Sequence, residues 1–179
     1  MSWYTLGRRT RRLTPILAMC FPLLAHAAAF SEYELKAAFV YNFASFADWP
    51  PKAAPGMSFC VVGQDPFGRA LDALEGKIVK GQSLSVRRLS NISEARTCRV
   101  LFISASEVTN LPRLLAAVKD LPVLTVADVE DAAHQGVIIG LGIEKQRITF
   151  EINTAAARNA NIVLSSRLLS LARNVYPPP

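Results

Sequence analysis

The sequence predicts a layered α/β sandwich, in which a mostly parallel central sheet carries one added antiparallel hairpin and helices cover both faces. Short apolar runs rich in β-branched residues alternate with segments of helical spacing, an alternation typical of layered α/β folds. Near-continuous apolar runs indicate strands that are buried on both faces, as in parallel sheets. The runs are Phe59–Val62, Val100–Ile103 and Val123–Val126.

The first predicted helix begins at Ser31. Ser31 and Glu34 have the spacing of a capping box, in which each side chain accepts a hydrogen bond from the other residue's backbone. Trp49 precedes Pro50, and a residue before proline is disfavoured in helical conformation. The helix is therefore expected to end near Asp48.

Each of the three strands is expected to lead into a helix. After the first strand, Asp65 can cap a helix that has Pro66 at its first position. The second strand is followed by helical spacing through residues 114–118, and the third by helical spacing through residues 132–133. These repeated strand–helix units favour a parallel sheet.

The predicted alternation of strands and helices ends after residue 136. Val137–Ile143 and Arg147–Asn153 are joined by only three residues, which predicts an antiparallel hairpin. In the second arm apolar and polar residues alternate, so one face is expected to be buried and the other exposed. A last helix is predicted over Ser166–Val175.

Residues 1–27 have the three parts of a secretory signal peptide. Four arginines precede an apolar run, Leu13–Ala25, and the small-residue site ends at Ala27. The run is shorter than the roughly 20 apolar residues that span a bilayer. We expect cleavage after Ala27, Sec export to the periplasm and a single mature domain over residues 28–179.

The charge balance disfavours nucleic-acid binding. The whole chain carries 20 Lys+Arg and 14 Asp+Glu, and removal of the four arginines lowers its formal charge from +6 to +2. The mature sequence has no basic cluster interleaved with aromatic residues, as a nucleic-acid footprint requires.

Two cysteines, Cys60 and Cys98, remain after cleavage. An even number of cysteines in an oxidising compartment predicts a disulfide, and two buried free thiols are the alternative. A bridge over this loop is worth about 4 kcal/mol in the chain-entropy model.

The residues that commonly carry catalysis are scarce. His134 is the only histidine of the mature chain, and the cysteines have no close-spaced ligand partner, so neither a metal nor another cofactor is expected. Ser165 and Ser166 stand before a leucine-rich segment, where serine is typical of a helix cap. We expect no enzyme, and a hydrolase that uses one of these serines is the least favoured alternative.

The turn at Gly63–Gly68 follows a predicted strand at the end where open α/β sheets bind ligands. It lacks the glycine pattern of dinucleotide sites, so a simple turn is the favoured interpretation. Together with four aromatic residues earlier in the chain, it motivates an alternative function, a periplasmic small-molecule binding protein. The aromatic residues are Tyr41, Phe43, Phe46 and Trp49.

The mature chain resembles the YfiR family of small periplasmic proteins from about Phe30 to Val175. The segments that carry the resemblance are Ala38–Ala44 with Trp49-Pro50, Phe59–Gly63 with Asp65, Phe67 and Gly68, Cys98–Ser104, Leu124–Val126, Ile148–Asn153 and Ser165–Leu169. Their joint order and spacing are more specific than any one of them.

The resemblance implies a repressor that binds the periplasmic PAS-like region of an inner-membrane diguanylate cyclase and so controls cyclic-di-GMP and biofilm formation. It also implies capture of the repressor by an outer-membrane OmpA-like lipoprotein. Cys60 and Cys98 match one family disulfide, whereas the family's second, local pair is missing from the hairpin. The sequence leaves open whether the chain forms a homodimer.

For partner contacts we predict the polar face of the second hairpin arm, with Glu151 and Asn153, and the neighbouring Arg158. The prediction depends on their exposure, which is inferred from the alternation in the strand.

Overall fold

The fold is described from a computed structural model that covers residue 1, residues 31–51, residue 53 and residues 55–177. Except for its first residue, the predicted signal peptide lies outside the described residues. Among the described residues, none of the helices combines the length and the hydrophobicity needed to span a bilayer.

Short helices and strands follow one another along the described chain. In order they are α1 (Glu32–Ser45), β1 (Ala47–Asp48), β2 (Met57–Val62), α2 (Arg69–Asp72), β3 (Ile78–Val79), β4 (Gln82–Leu89), β5 (Val100–Ile103), α3 (Leu111–Ala117), β6 (Leu124–Ala127), β7 (Ile139–Glu144), β8 (Arg147–Asn153), α4 (Thr154–Asn159), β9 (Val163–Leu164), α5 (Ser166–Leu171) and β10 (Asn174–Tyr176). Short 3₁₀ helices cover Ile92–Thr97 and Ala105–Asn110.

Eight strands form one sheet in the order β10-β8-β7-β6-β5-β2-β4-β3. Neighbouring strands are parallel except in the pairs β7–β8 and β3–β4. The predicted mixed α/β fold with a mostly parallel sheet and the β7–β8 hairpin is therefore confirmed, and β3–β4 is a second antiparallel pair. Strands β1 and β9 form a separate antiparallel pair.

Side chains of the central strands alternate between two buried cores, one on each face of the sheet. On β2, Phe59 and Val61 contribute to a core that α1 covers, and we call this side the aromatic face. Cys60 and Val62 contribute to a core that α3 covers, and we call this side the disulfide face. Both faces are thus covered by helices, as the apolar runs predicted.

Helix α1 begins with the predicted capping box. The Glu34 backbone N–H donates to Ser31 Oγ at 3.2 Å, and the Ser31 N–H donates to Glu34 Oε2 at 2.6 Å. The helix ends at Ser45, three residues earlier than expected, because Ala47 and Asp48 pair with β9 instead.

The predicted helix through residues 132–133 is wrong, because the chain there forms consecutive turns. Asp131 and Gly136 have φ values of +53° and +101°, which interrupt right-handed helical geometry on both sides of the alanines. The prediction that Asp65 caps a helix is also wrong, because its side chain stabilises a turn instead. Its Oδ1 accepts from the Phe67 N–H at 2.8 Å, and α2 begins only at Arg69.

The predicted last helix is wrong in its second half. Helix α5 ends at Leu171, and β10 then pairs in parallel with β8. The Arg173 N–H donates to the Phe150 carbonyl at 2.8 Å, which starts this alignment. Contacts with a distant strand therefore override the local helical spacing.

The predicted disulfide between Cys60 and Cys98 is present, with a Cα–Cα distance of 6.0 Å. Both residues are almost fully buried, at 0% and 1% exposure. The bond joins β2 to the residue two positions before β5, its neighbour in the sheet.

Candidate interaction surface

Glu151 is buried, with 9% of its surface exposed, so the prediction that its side chain is exposed is wrong. The alternation along β8 is real, because Phe150 and Ile152 belong to the aromatic face. However, the opposite side of the strand is also covered, since the C-terminal segment brings Arg173 and Tyr176 against Glu151.

The Glu151 carboxylate holds β10 in place through several hydrogen bonds. Its Oε1 accepts from Arg173, which also forms an ion pair with it, and from Asn174 Nδ2 at 2.8 Å. Its Oε2 accepts from the Tyr176 hydroxyl at 2.9 Å. Burial opposes ionisation, but these donors outweigh it, and the pKa of Glu151 lies below its usual value.

Both the oxygen and the nitrogen of the Asn153 side-chain amide form hydrogen bonds within the domain. Its Oδ1 accepts from the Ala156 N–H at 2.8 Å and so caps α4, while its Nδ2 donates to the Ala133 carbonyl at 2.8 Å. These bonds give Asn153 a structural role at the junction of β8 and α4.

Arg158 is exposed on α4, and among the described residues no carboxylate forms an ion pair with it. It lines an open groove of about 500 Å³, which we call the Arg158 groove. The other side chains of this groove are largely apolar and include Pro50, Val163 and Leu169. Val163 is 65% exposed and adds an accessible apolar side chain to the groove.

The structure therefore assigns the three predicted contact residues to three different settings. Glu151 fastens β10, Asn153 caps α4, and Arg158 alone combines exposure with an adjacent apolar groove. Sequence reasoning missed the contribution of Asn174 and Tyr176, which it placed in a helix or beyond its end. The one signal for a strand was the Val-Tyr pair at 175–176, since both residue types favour strands.

Ser165 and His134 both make structural contacts. Ser165 Oγ accepts from the Leu168 N–H at 3.2 Å, which confirms its predicted role as a helix cap. The His134 ring packs on Tyr176 with centroids 3.9 Å apart. Across the described residues, no group of three His, Cys, Asp or Glu side chains is placed to hold a metal ion.

The Asp65 carboxylate and the Gln64 backbone N–H of the Gly63–Gly68 turn bond to other parts of the protein. Asp65 forms an ion pair with Arg88 at 2.7 Å, and the Gln64 N–H donates to Ser106 Oγ at 2.9 Å. Gly63 has a φ of +90°, and a Cβ there would lie 2.5 Å from Ser106 Oγ. Glycine is thus required by the close approach of two loops, which supports the turn interpretation.

Comparison with solved structures identifies similar folds at low sequence identity. A conserved domain protein from Vibrio cholerae matches with a TM-score of 0.55 and 13% identity over 82% of this chain. The ABC domain in complex with L-Trp from Streptococcus pneumonia matches with a TM-score of 0.50 and 8% identity over 76% of this chain. The matches cover 61% and 60% of those two chains, and at such identities they show the fold alone.

Comparison with protein families gives a more extensive match. A family model described as YfiR/HmsC-like matches residues 33–173. The matched region begins inside α1 and ends at Arg173, so it includes the covering helices and every strand of the main sheet except β10.

Proposed function

The chain belongs to the YfiR/HmsC-like family, and on this premise we propose that it is a periplasmic regulator of cyclic-di-GMP signalling that acts by binding other proteins. The match over residues 33–173 is the observation that carries the proposal. The signal-peptide pattern and the disulfide between Cys60 and Cys98 agree with an exported protein, since such bonds persist in oxidising compartments.

In the full proposal, the protein represses an inner-membrane diguanylate cyclase by binding its periplasmic sensor region. An outer-membrane OmpA-like lipoprotein then captures the repressor and releases the cyclase. A binding protein that alternates between two partners needs a domain that keeps its shape in both complexes. The disulfide and the two buried cores support a domain of this kind.

We place the cyclase contact at the Arg158 groove. Interface energy is concentrated in a few side chains, enriched in Trp, Tyr and Arg, that become desolvated at the centre of a contact. Arg158 is such an arginine, and it lies beside an apolar groove that includes the exposed Val163. Glu151 contributes indirectly in this proposal, because it holds the C-terminal strand of the sheet.

The test is a quantitative pull-down of the exported protein, tagged after residue 179, against membranes of its own organism. We expect to recover a membrane protein with a periplasmic sensor region and a cytoplasmic GGDEF domain. Arg158→Glu should reduce its recovery at least about tenfold, because a buried charge of the wrong sign opposes docking. Arg113→Glu is the matched control, since Arg113 is an exposed arginine on α3 outside the groove.

The same material tests export, because the mature protein should begin at residue 28. Cyclic-di-GMP should rise in cells that lack the protein and return to normal with the wild-type chain. Recovery of no such membrane protein, together with unchanged cyclic-di-GMP, would contradict the repressor proposal and favour the small-molecule binding alternative. Equal recovery by Arg158→Glu and wild type would move the contact to another surface.

A further inference from the structure

A second groove lies between α1 and α2 and shares no lining residue with the Arg158 groove. We call it the α1–α2 groove, and its volume is about 500 Å³. Small and apolar side chains form its floor. They are Ala37, Ala38, Ala70, Ala73 and Leu74. Because an alanine side chain ends at Cβ, the two helices pack together without filling the space between them.

The side chains at the two ends of the groove differ, since one is exposed and the other is hydrogen-bonded. At one end Leu35 is 41% exposed, although it lies next to an apolar floor that could bury it. At the other end the Tyr41 hydroxyl donates to the Ile78 carbonyl at 2.9 Å, which ties α1 to β3. Leu35 and Tyr41 are separated by about 9 Å along the helix, so the groove has room for two or three side chains in a row.

The rim of the groove is positively charged. Arg69 and Lys77 line it, and neither forms an ion pair with a carboxylate of the described residues. Arg88, close to the same helix, is by contrast paired with Asp72 at 2.7 Å. The only carboxylate among the described lining side chains is Glu34, and its Oε2 already accepts from the Ser31 N–H.

Lys77 is also placed over the groove by an aromatic contact. Its Nζ lies 5.7 Å from the centroid of the Tyr41 ring, a cation–π arrangement that keeps the ammonium near the apolar floor. An approaching carboxylate therefore meets a cation that is already positioned. An approaching lysine or arginine would be repelled.

We propose that the α1–α2 groove is a docking site for a short segment of a partner protein in which apolar side chains are flanked by carboxylates. The apolar side chains cover Leu35 and the alanine floor, and the carboxylates face Arg69 and Lys77. This partner chemistry follows from the charge and apolarity of the groove, and it is independent of the contact proposed at Arg158.

The test is photo-crosslinking in cells that produce the full chain, with p-benzoylphenylalanine in place of Ala38 or, as a control, of the exposed Ala117 on α3. We expect Ala38 to yield an adduct with another protein, whose crosslinked peptide combines apolar residues with net negative charge. The double variant Arg69→Glu with Lys77→Glu should lower that yield about tenfold, as expected for reversal of two charges at an interface rim. Arg113→Glu and Arg158→Glu should leave it within about twofold.

Three outcomes would overturn the proposal. They are an adduct yield at Ala38 no higher than at Ala117, a crosslinked peptide that is basic or comes from a second copy of this chain, and a yield unaffected by the double charge reversal. Because Arg69 and Lys77 are exposed, the variants should keep the thermal midpoint of the wild type, and circular dichroism checks this directly. A fourth outcome, loss of the adduct on Arg158→Glu alone, would also overturn it, because the two grooves would then belong to a single contact surface.

Discussion

On the aromatic face of the sheet, large rings pack against one another, whereas the core of the disulfide face is aliphatic and is cross-linked by Cys60 and Cys98. The Phe67 and Phe102 centroids lie 4.6 Å apart, and those of Phe43 and Phe150 lie 4.9 Å apart. Among the described residues of the disulfide-face core there is no aromatic side chain.

This difference teaches that one sheet can be stabilised by two mechanisms at once. Leu101 and Phe102 are neighbours on β5, both fully buried, yet they belong to opposite cores. Packing of rings stabilises the folded state through shape and apolar burial. A disulfide acts largely on the unfolded chain by restricting it. The aromatic face should therefore respond most to side-chain truncation, and the disulfide face to reduction.

The largest expected effect is on the aromatic face. Phe102→Ala should lower the free energy of unfolding by about 3–5 kcal/mol, because it removes a ring at 0% exposure and leaves a cavity. Urea unfolding measures the change. Leu101→Ala is the matched substitution on the other face and should cost less, since the removed side chain is smaller. An equal or larger loss for Leu101→Ala would contradict the assigned difference between the faces.

Removing the disulfide should have the next largest effect. Cys60→Ala with Cys98→Ala should lower the free energy of unfolding by about 2–4 kcal/mol. Thiol titration of the unreduced, denatured protein should find no free thiol in the mature chain. In reducing buffer, wild type and the double variant should have similar urea midpoints. If reduction leaves the wild-type midpoint unchanged, the bond is not a stabilising element of this face.

A smaller effect is expected where the disulfide side of the sheet meets the C-terminal strand. Glu151→Gln should cost about 2 kcal/mol near neutral pH, the scale of a hydrogen bond to a charged group. Since the folded-state pKa of Glu151 is depressed, its contribution is present above the unfolded pKa of about 4.3 and is lost as the pH falls further. The difference in unfolding free energy between wild type and variant should thus shrink below about pH 4. A constant difference between neutral and strongly acidic pH would show that the carboxylate charge contributes nothing.

The smallest effect is expected at the charged cluster beside the aromatic face. Lys36 is 2% exposed and pairs with Glu32 and Asp128, whose side chains are 44% and 19% exposed. Lys36→Met should cost about 1 kcal/mol or less. Removing one partner of a fully buried ion pair costs about 3–5 kcal/mol, but here both carboxylates stay partly hydrated and the methionine packs in place of the lysine. Burial lowers the pKa of Lys36, but its two carboxylate partners raise it further, so the net shift is upward.

The raised pKa gives this cluster the opposite pH dependence from Glu151. Its contribution to stability is present below the unfolded pKa of about 10.4 and is lost as the pH rises through the higher folded value. Urea unfolding of wild type and Lys36→Met from about pH 8 to about pH 11 measures it. A variant that is less stable by more than about 3 kcal/mol would mean that Asp128 depends on Lys36 for its burial.

Local signals predicted a large part of this fold. Ser31 and Glu34 identified the start of α1, the apolar runs identified β2, β5 and β6, and the short connection identified the β7–β8 hairpin. Those features depend on neighbouring residues. Strand β4 was not predicted, because Arg87 and Arg88 interrupt its pattern of apolar residues. Both arginines form ion pairs with acidic residues that only folding brings close.

The candidate sites were harder to predict because distant residues build them. Glu151 looked exposed in the sequence pattern, but Arg173 and Tyr176 cover it from more than 20 positions away. The α1–α2 groove likewise requires Tyr41 to meet Lys77. Of the three predicted contact residues only Arg158 has the expected exposure, and it lies on α4, a helix that the sequence analysis did not predict. Its interaction with a partner stays a prediction.

The packing of α1 has a consequence for the order in which the molecule is assembled. Phe39 and Phe43 of this first helix contact Phe150 of β8, more than 100 residues later in the chain. A chain is synthesised from its amino terminus, so these two rings can contact each other but not Phe150 until most of the polypeptide has emerged. Contacts of such long range slow folding and leave apolar surface uncovered in the interval. Phe39 and Phe43 should therefore stay partly uncovered in each new copy of the protein until β8 is available to pack against them.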